Sequence, residues 1–208
     1  LTDASITVLN PRSESAAVDA MARFYRSFYQ GSHERFFVFG INPGRFGGGI
    51  TGIPFTDPVA LRDACAIETS FTMQRELSSA FIWEFIEAFG GIRSFAESLY
   101  LTAVCPFGFV RDGKNLNYYD DPHLQRSVTG YITETMERQL HIGARRDAAI
   151  ILGRGKNARF VEKLNTANGW FDAIHVLDHP RYIMQYQRRA LEQHVNEYVR
   201  VCRALTRL

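Results

Sequence analysis

Lysine is nearly missing from this chain. Of its 24 lysine and arginine residues only three are lysines, Lys114, Lys156 and Lys163. Arginine forks suit phosphates and stack on bases, although a compositional preference of the source genome would leave the same bias. Few amines also argue against chemistry that runs through a Schiff base. Cysteine is scarce too. Cys65, Cys105 and Cys202 stand far apart, which speaks against a disulfide framework and a four-cysteine zinc or iron–sulfur site. The expectation is a protein with no metal and no cofactor. No apolar run approaches the length of a membrane span, and no basic-then-apolar leader is visible, so a cytoplasmic protein is expected. A net charge of +2 names no partner by itself.

What is present is enough for one core. The 208 residues, 46% of them hydrophobic, fit a single domain spanning 1–208 with no linker dividing it. The chain is organised around Phe36-Phe37-Val38-Phe39-Gly40-Ile41-Asn42-Pro43-Gly44, which runs on through glycines to Thr51-Gly52-Ile53-Pro54-Phe55. A continuous apolar run is the mark of a strand buried on both faces of a parallel sheet. The glycines and proline that follow let the backbone turn sharply and approach a ligand. Asn42 is set in that break.

Strand and helix patterns then alternate. Helices are expected over about 13–30, 73–89, 121–140, 156–168 and 187–205, with Gly90-Gly91 closing the second. Further strands are expected over 98–104, 147–152 and 171–177, with a polar loop over 111–121. The fold class this implies is α/β: a three-layer α/β/α sandwich around a mainly parallel four-stranded sheet. In such sheets ligands bind outside the carboxyl ends of the strands. The loops after the first and last strands leave the same rim, so Asn42 and His179 can meet across a cleft.

Other motifs are weaker. Gly153-Arg154-Gly155-Lys156 lacks the spacing and the Ser/Thr of a P-loop, but Arg154 and Lys156 at a helix start could hold one phosphate, including one from a nucleic-acid backbone. No nucleophile elbow is present. Taken singly, Asn42 before Pro43 could be a turn former, Phe55 could be core, and His179 could be a structural histidine.

Together these stretches resemble the single-strand-selective monofunctional uracil-DNA glycosylases, the SMUG group of the uracil-DNA glycosylase superfamily. The resemblance is carried by Gly40-Ile41-Asn42-Pro43-Gly44-x-Phe46-Gly47 with Thr51-Gly52-Ile53-Pro54-Phe55. It continues in order at Cys105-Pro106, Gly113-Lys114-Asn115-Leu116, Leu152-Gly153-Arg154 and His179-Pro180. Two departures mark a divergent bacterial-type branch. The group's His-Pro-Ser-Pro-Arg stretch is here His179-Pro180-Arg181-Tyr182-Ile183-Met184, and its asparagine two residues before Cys-Pro is here Ala103.

The resemblance implies a monofunctional DNA glycosylase of base excision repair that hydrolyses the N-glycosidic bond of uracil and leaves an abasic site. It assigns catalysis to Asn42, which orients the water, and His179, which hydrogen-bonds the departing base. It places Gly44, Arg45, Phe46, Phe55, Thr102 and Ala103 around the base. Expected DNA contacts are Arg154, Lys156, Arg181, Tyr182, Ile183 and Met184, the last four as a wedge in the opened duplex. Alanine at 103 implies a wider choice of base, extending to xanthine or hypoxanthine. The partner is damaged DNA, single- or double-stranded, met by a monomer at the bacterial nucleoid. The rival reading is a non-catalytic α/β nucleotide- or phosphate-binding module.

Overall fold

A computed structural model describes residues 5–207. β1 (Thr7–Leu9) leads to α1 (Ser15–Phe28), β2 (Arg35–Gly40), the short helices α2 (Gly48–Thr51) and α3 (Pro58–Asp63), then α4 (Leu77–Phe89) and α5 (Gly91–Ser98). There follow β3 (Leu99–Ala103), β4 (Gly108–Arg111), β5 (Lys114–Leu116), α6 (Pro122–Leu140) and β6 (Ala144–Leu152). The chain closes with α7 (Lys156–Asn168), β7 (Ala173–Leu177), α8 (Pro180–Tyr186) and α9 (Leu191–Thr206).

The central sheet has the strand order β3-β2-β6-β7, and every pairing is parallel. β2 lies inside it with all of its residues buried. Because side chains alternate across a strand, Phe36 and Val38 enter one core with Phe81, Phe85 and Tyr198 of α4 and α9. Phe37 and Phe39 enter the opposite core with Leu124, Ile132 and Met136 of α6 and Val161 of α7. Burying a side chain of this size stabilises the fold by roughly 1.5–3 kcal/mol. Helices therefore cover both faces, as the alternating pattern predicts. The chain turns one way from β2 to β3 and the other from β6 to β7, so the rim between β2 and β6 is a topological switch point.

Local signals set the helix ends. Asp121 caps α6 by accepting from the N–H groups of His123 and Leu124, and Pro122 occupies the first turn. Leu124, Val128, Ile132 and Met136 then recur every fourth residue on the buried face. α7 stops at Gly169, whose φ of 62° a side chain would disfavour.

The structure departs from the sequence expectations at several points. The stretch 111–121 is not all loop: β4 and β5 form a hairpin about Asp112 and Gly113, with φ of 49° and 68°. β1 pairs with β4 to complete a second, three-stranded antiparallel sheet. Gly90 ends α4 as expected, and Gly91 at once begins a further helix, α5, ahead of β3. α4 and α9 also begin later than their periodicity suggests, at Leu77 and Leu191. The residues after His179 form helix α8, not a loop.

Candidate active site

At the carboxyl rim of the central sheet lies a cavity of about 410 Å³. Gly40 and Asn42 reach it from the end of β2, Thr102 and Ala103 from β3, and His179 from the turn after β7. The sequence expectation that Asn42 and His179 share a cleft is thus met in the geometry.

Asn42 is clamped on both sides of its amide. Its Oδ1 accepts the Tyr118 N–H at 3.1 Å, and its Nδ2 donates to the Leu116 carbonyl at 3.3 Å. Tyr118 is itself fixed: it is fully buried, and its hydroxyl donates to Asn157 Oδ1 at 2.7 Å. Asn157 in turn donates to the Leu152 carbonyl at the end of β6. The hairpin is therefore part of the site, because the backbone just beyond β5 holds Asn42. An amide oxygen has two lone pairs, so Oδ1 keeps one for a ligand or water.

His179 caps α8, and its Nδ1 accepts the Arg181 N–H at 3.1 Å. Nδ1 must then lack a proton, which places the proton of the neutral ring on Nε2. Burial pushes the His179 pKa down to about 4, and the Arg181 charge pushes in the same direction. At neutral pH His179 is a neutral donor.

Phe55 packs 5.9 Å from His179, centroid to centroid. Its φ is 54°, a strained value for a residue with a side chain. The Thr51 hydroxyl holds this loop by donating to the Thr56 carbonyl at 2.7 Å and accepting the Ile53 N–H. The ring uses space that only glycine leaves: a Cβ on Gly40 would lie 2.5 Å from it.

The remaining expected residues separate into groups. Gly44, Phe55 and Arg181 line the cavity with those already named. Thr102 is committed, since its hydroxyl donates to Gln139 Oε1. Arg45 and Phe46 do not line the cavity. The Arg45 guanidinium stacks over Phe46 at 4.2 Å and donates to the Gly113 carbonyl of the hairpin, while its N–H donates to Asn115 Oδ1. Arg154 pairs with Asp178 at 2.9 Å and approaches Glu197. Lys156 faces a second groove between α6 and α7, together with Arg126, Arg159 and Lys163.

The expected wedge is corrected. Ile183 is fully buried and Met184 packs against the same core, because α8 turns Pro180 and Ile183 inward. One turn apart on its outer face are Tyr182, 45% exposed, and Tyr186, 70% exposed, with ring centroids 5.6 Å from each other. Of the apolar trio Tyr182 is the most open to a partner, Met184 is half-buried and Ile183 is closed off.

Among the cavity residues that had escaped sequence reasoning are Arg12, Arg138 and Glu76, the last of which precedes α4. The Asp57 carboxylate accepts its N–H at 2.7 Å. No motif marks it, and only the folded chain brings it beside Gly44.

A family model of the uracil-DNA glycosylase superfamily matches residues 27–203. The chain belongs to that superfamily. Its structure is similar to the crystal structure of wild-type SMUG2 from Pedobacter heparinus, with a TM-score of 0.94 and 37% sequence identity over 99% of this chain and 90% of that one. No curated protein sequence matches it. The chain is a SMUG-like uracil-DNA glycosylase, a hydrolase of DNA repair, and the reading as a binding module without chemistry is not favoured. Among the described residues no helix is long and apolar enough to cross a membrane, and no cluster of His, Cys, Asp or Glu is arranged to hold a metal ion.

Proposed function

We propose that this glycosylase hydrolyses the C1′–N bond of a flipped nucleotide with Asn42 and His179 as its two catalytic residues. The observation that carries the reading is the clamped Asn42 amide at the sheet rim, lining the same cavity as a neutral His179. A base inside a stacked duplex is out of reach, so the nucleotide must be extruded into the cavity. Phe55 then stacks on the base. The free lone pair of Asn42 Oδ1 accepts a hydrogen bond from the water and aims its oxygen at C1′.

An amide is no strong base, so the barrier is lowered chiefly at the leaving group. As the C1′–N bond breaks, its electron pair moves onto the base, and His179 Nε2–H donates to the oxygen that gains charge. Water adds to C1′ and its proton is released. The product is an abasic site. None of Lys114, Lys156 and Lys163 lines the cavity, which supports hydrolysis over a lyase step.

DNA would approach across the rim. Arg12, Arg138 and Arg181 line the cavity. Lys156 would act from the second groove, where Arg126, Arg159 and Lys163 join it and, among the described residues, no acidic one lines that groove. Tyr182 would be the wedge. Arg154, held by Asp178, supports the turn before His179.

Without a carboxamide at 103 the pocket accepts uracil and also deaminated purines such as xanthine or hypoxanthine. The enzyme acts as a monomer, on single- or double-stranded DNA, at the bacterial nucleoid. The test is incubation with uracil-containing single- and double-stranded oligonucleotides, then alkali. Scission at the uracil supports the reading, and tight binding without scission opposes it.

A further inference from the structure

Glu76 brings an acidic side chain to the lining of the pocket. Its carboxyl sits in a slot made by the first motif: a Cβ on Gly44 would lie 2.0 Å from Oε1, and a Cβ on Gly47 would lie 2.0 Å from Oε2. Among the described residues the carboxyl makes no hydrogen bond, although the backbone N–H of the same residue is tied to Asp57. The side chain is half-buried and lines the cavity, so its carboxyl can hydrogen-bond what enters there.

We propose that the carboxyl group of Glu76 is the base-reading group of this glycosylase, hydrogen-bonding the lactam edge of the flipped base in place of the carboxamide missing at Ala103. This rests on the glycosylase reading of the cavity. Uracil, hypoxanthine and xanthine share a lactam edge, an N–H beside a C=O. A carboxylic acid offers the complement, a C=O beside an O–H, as a carboxamide does with its C=O and N–H. A carboxylate offers acceptors only and repels the base carbonyl.

The surroundings favour the acid. Burial raises the Glu76 pKa to about 7, with the nearby Asp57 carboxylate adding to the rise and Arg181 opposing it. Asp57, at the start of α3, and Arg181, on α8, are the charged groups facing Glu76. His179 beside them is neutral. The slot contributes the backbone of Gly44 and Gly47, and β5 contributes the neutral amide of Asn115, near Gly44. In acid form Glu76 also donates to a carbonyl that gains charge as the base leaves, so its proton bears on rate as well as on choice of base.

The experiment is single-turnover excision of uracil from a single-stranded oligonucleotide, from pH 5.5 to 9, by wild type, Glu76→Gln and Glu76→Ala. Thermal unfolding of each variant shows whether it is folded. Wild type is expected to lose activity as pH rises through about 7. Glu76→Gln keeps a donor and an acceptor but has no proton to lose, so its rate stays level across that range. Glu76→Ala should be slower on the order of tenfold or more at pH 6, with no fall of its own near 7. The proposal is overturned if folded Glu76→Ala matches wild type, if Glu76→Gln is as slow as Glu76→Ala, or if Glu76→Gln keeps the wild-type alkaline fall. A wild type that releases no uracil at any pH would instead overturn the glycosylase reading itself.

Discussion

The amide of Asn42 and the backbone of Tyr118 are locked together: Tyr118 N–H donates to Asn42 Oδ1 at 3.1 Å. Tyr118 is anchored in turn through its hydroxyl to Asn157, on the first turn of α7. A side chain at the end of one strand is thereby oriented by a hairpin from the other sheet. Removing the anchor should loosen the clamp without touching the cavity. Tyr118→Phe is expected to cost about 1–3 kcal/mol in urea unfolding, since Asn157 Oδ1 is left buried and unpaired, and to lower the excision rate. Unchanged stability and rate would show that backbone packing alone sets Asn42.

His179 gives a pH prediction. An ordinary histidine titrates near 6.5. With its pKa near 4 in the folded protein, His179 is still mostly neutral at pH 5 and keeps the Nδ1 lone pair that accepts the Arg181 N–H and holds the ring in place. Uracil excision should therefore show no acid-side loss near 6.5 and decline only as pH nears 4. Stability follows the same sign: the contribution is complete above 6.5 and is lost as pH falls toward 4. His179→Ala should reduce the rate on the order of 10²–10³-fold. An acid limb at 6.5 in wild type would mean that the ring titrates normally.

The outer and inner faces of α8 should separate experimentally. Tyr182→Ala is expected to slow excision from duplex DNA more than from single strands, because only the duplex must be unstacked and unpaired. Ile183→Ala should instead destabilise the fold by about 2–5 kcal/mol and treat both substrates alike. Equal losses on the two substrates for Tyr182→Ala would remove it as the wedge.

Much of this was legible in the sequence. The buried strand Phe36–Phe39, the Asn42 break and the His179 turn stood out because apolar runs and glycine or proline breaks are local signals. The Asp112-Gly113 hairpin also had a local signal, since Asp-Gly is a favoured two-residue turn, but short polar strands beside it hid the pairing. Ile183 and Met184 misled for a different reason. Their apolarity suits a wedge and a core equally, and only the helical phase of α8 decides between them. Glu76 had no signal at all. Its place depends on Asp57 and on two glycines about thirty residues earlier in the chain.

Lesion choice is the next test. Ala103→Asn should return a carboxamide and its bulk to the cavity and narrow the range of excised bases toward uracil, because the larger side chain takes up space that a purine needs. A panel of uracil, xanthine and hypoxanthine oligonucleotides reads this directly. The same preference in both proteins would show that position 103 does not set it.

The groove between α6 and α7 makes a prediction about salt. Replacing Arg159 and Lys156 together by alanine should weaken DNA binding about equally for all sequences, and lower the slope of log affinity against log salt by about 2 if each meets one phosphate. An unchanged slope would place the DNA elsewhere.

The central claim is that Asn42 positions the attacking water and does not bind the DNA. The most direct measurement is paired single-turnover excision and equilibrium binding for wild type and Asn42→Ala on one uracil-containing single-stranded oligonucleotide. The expected result is a rate reduced on the order of 10²-fold or more with affinity within about twofold of wild type. Near wild-type excision by the variant, or affinity lost in step with rate, would contradict it.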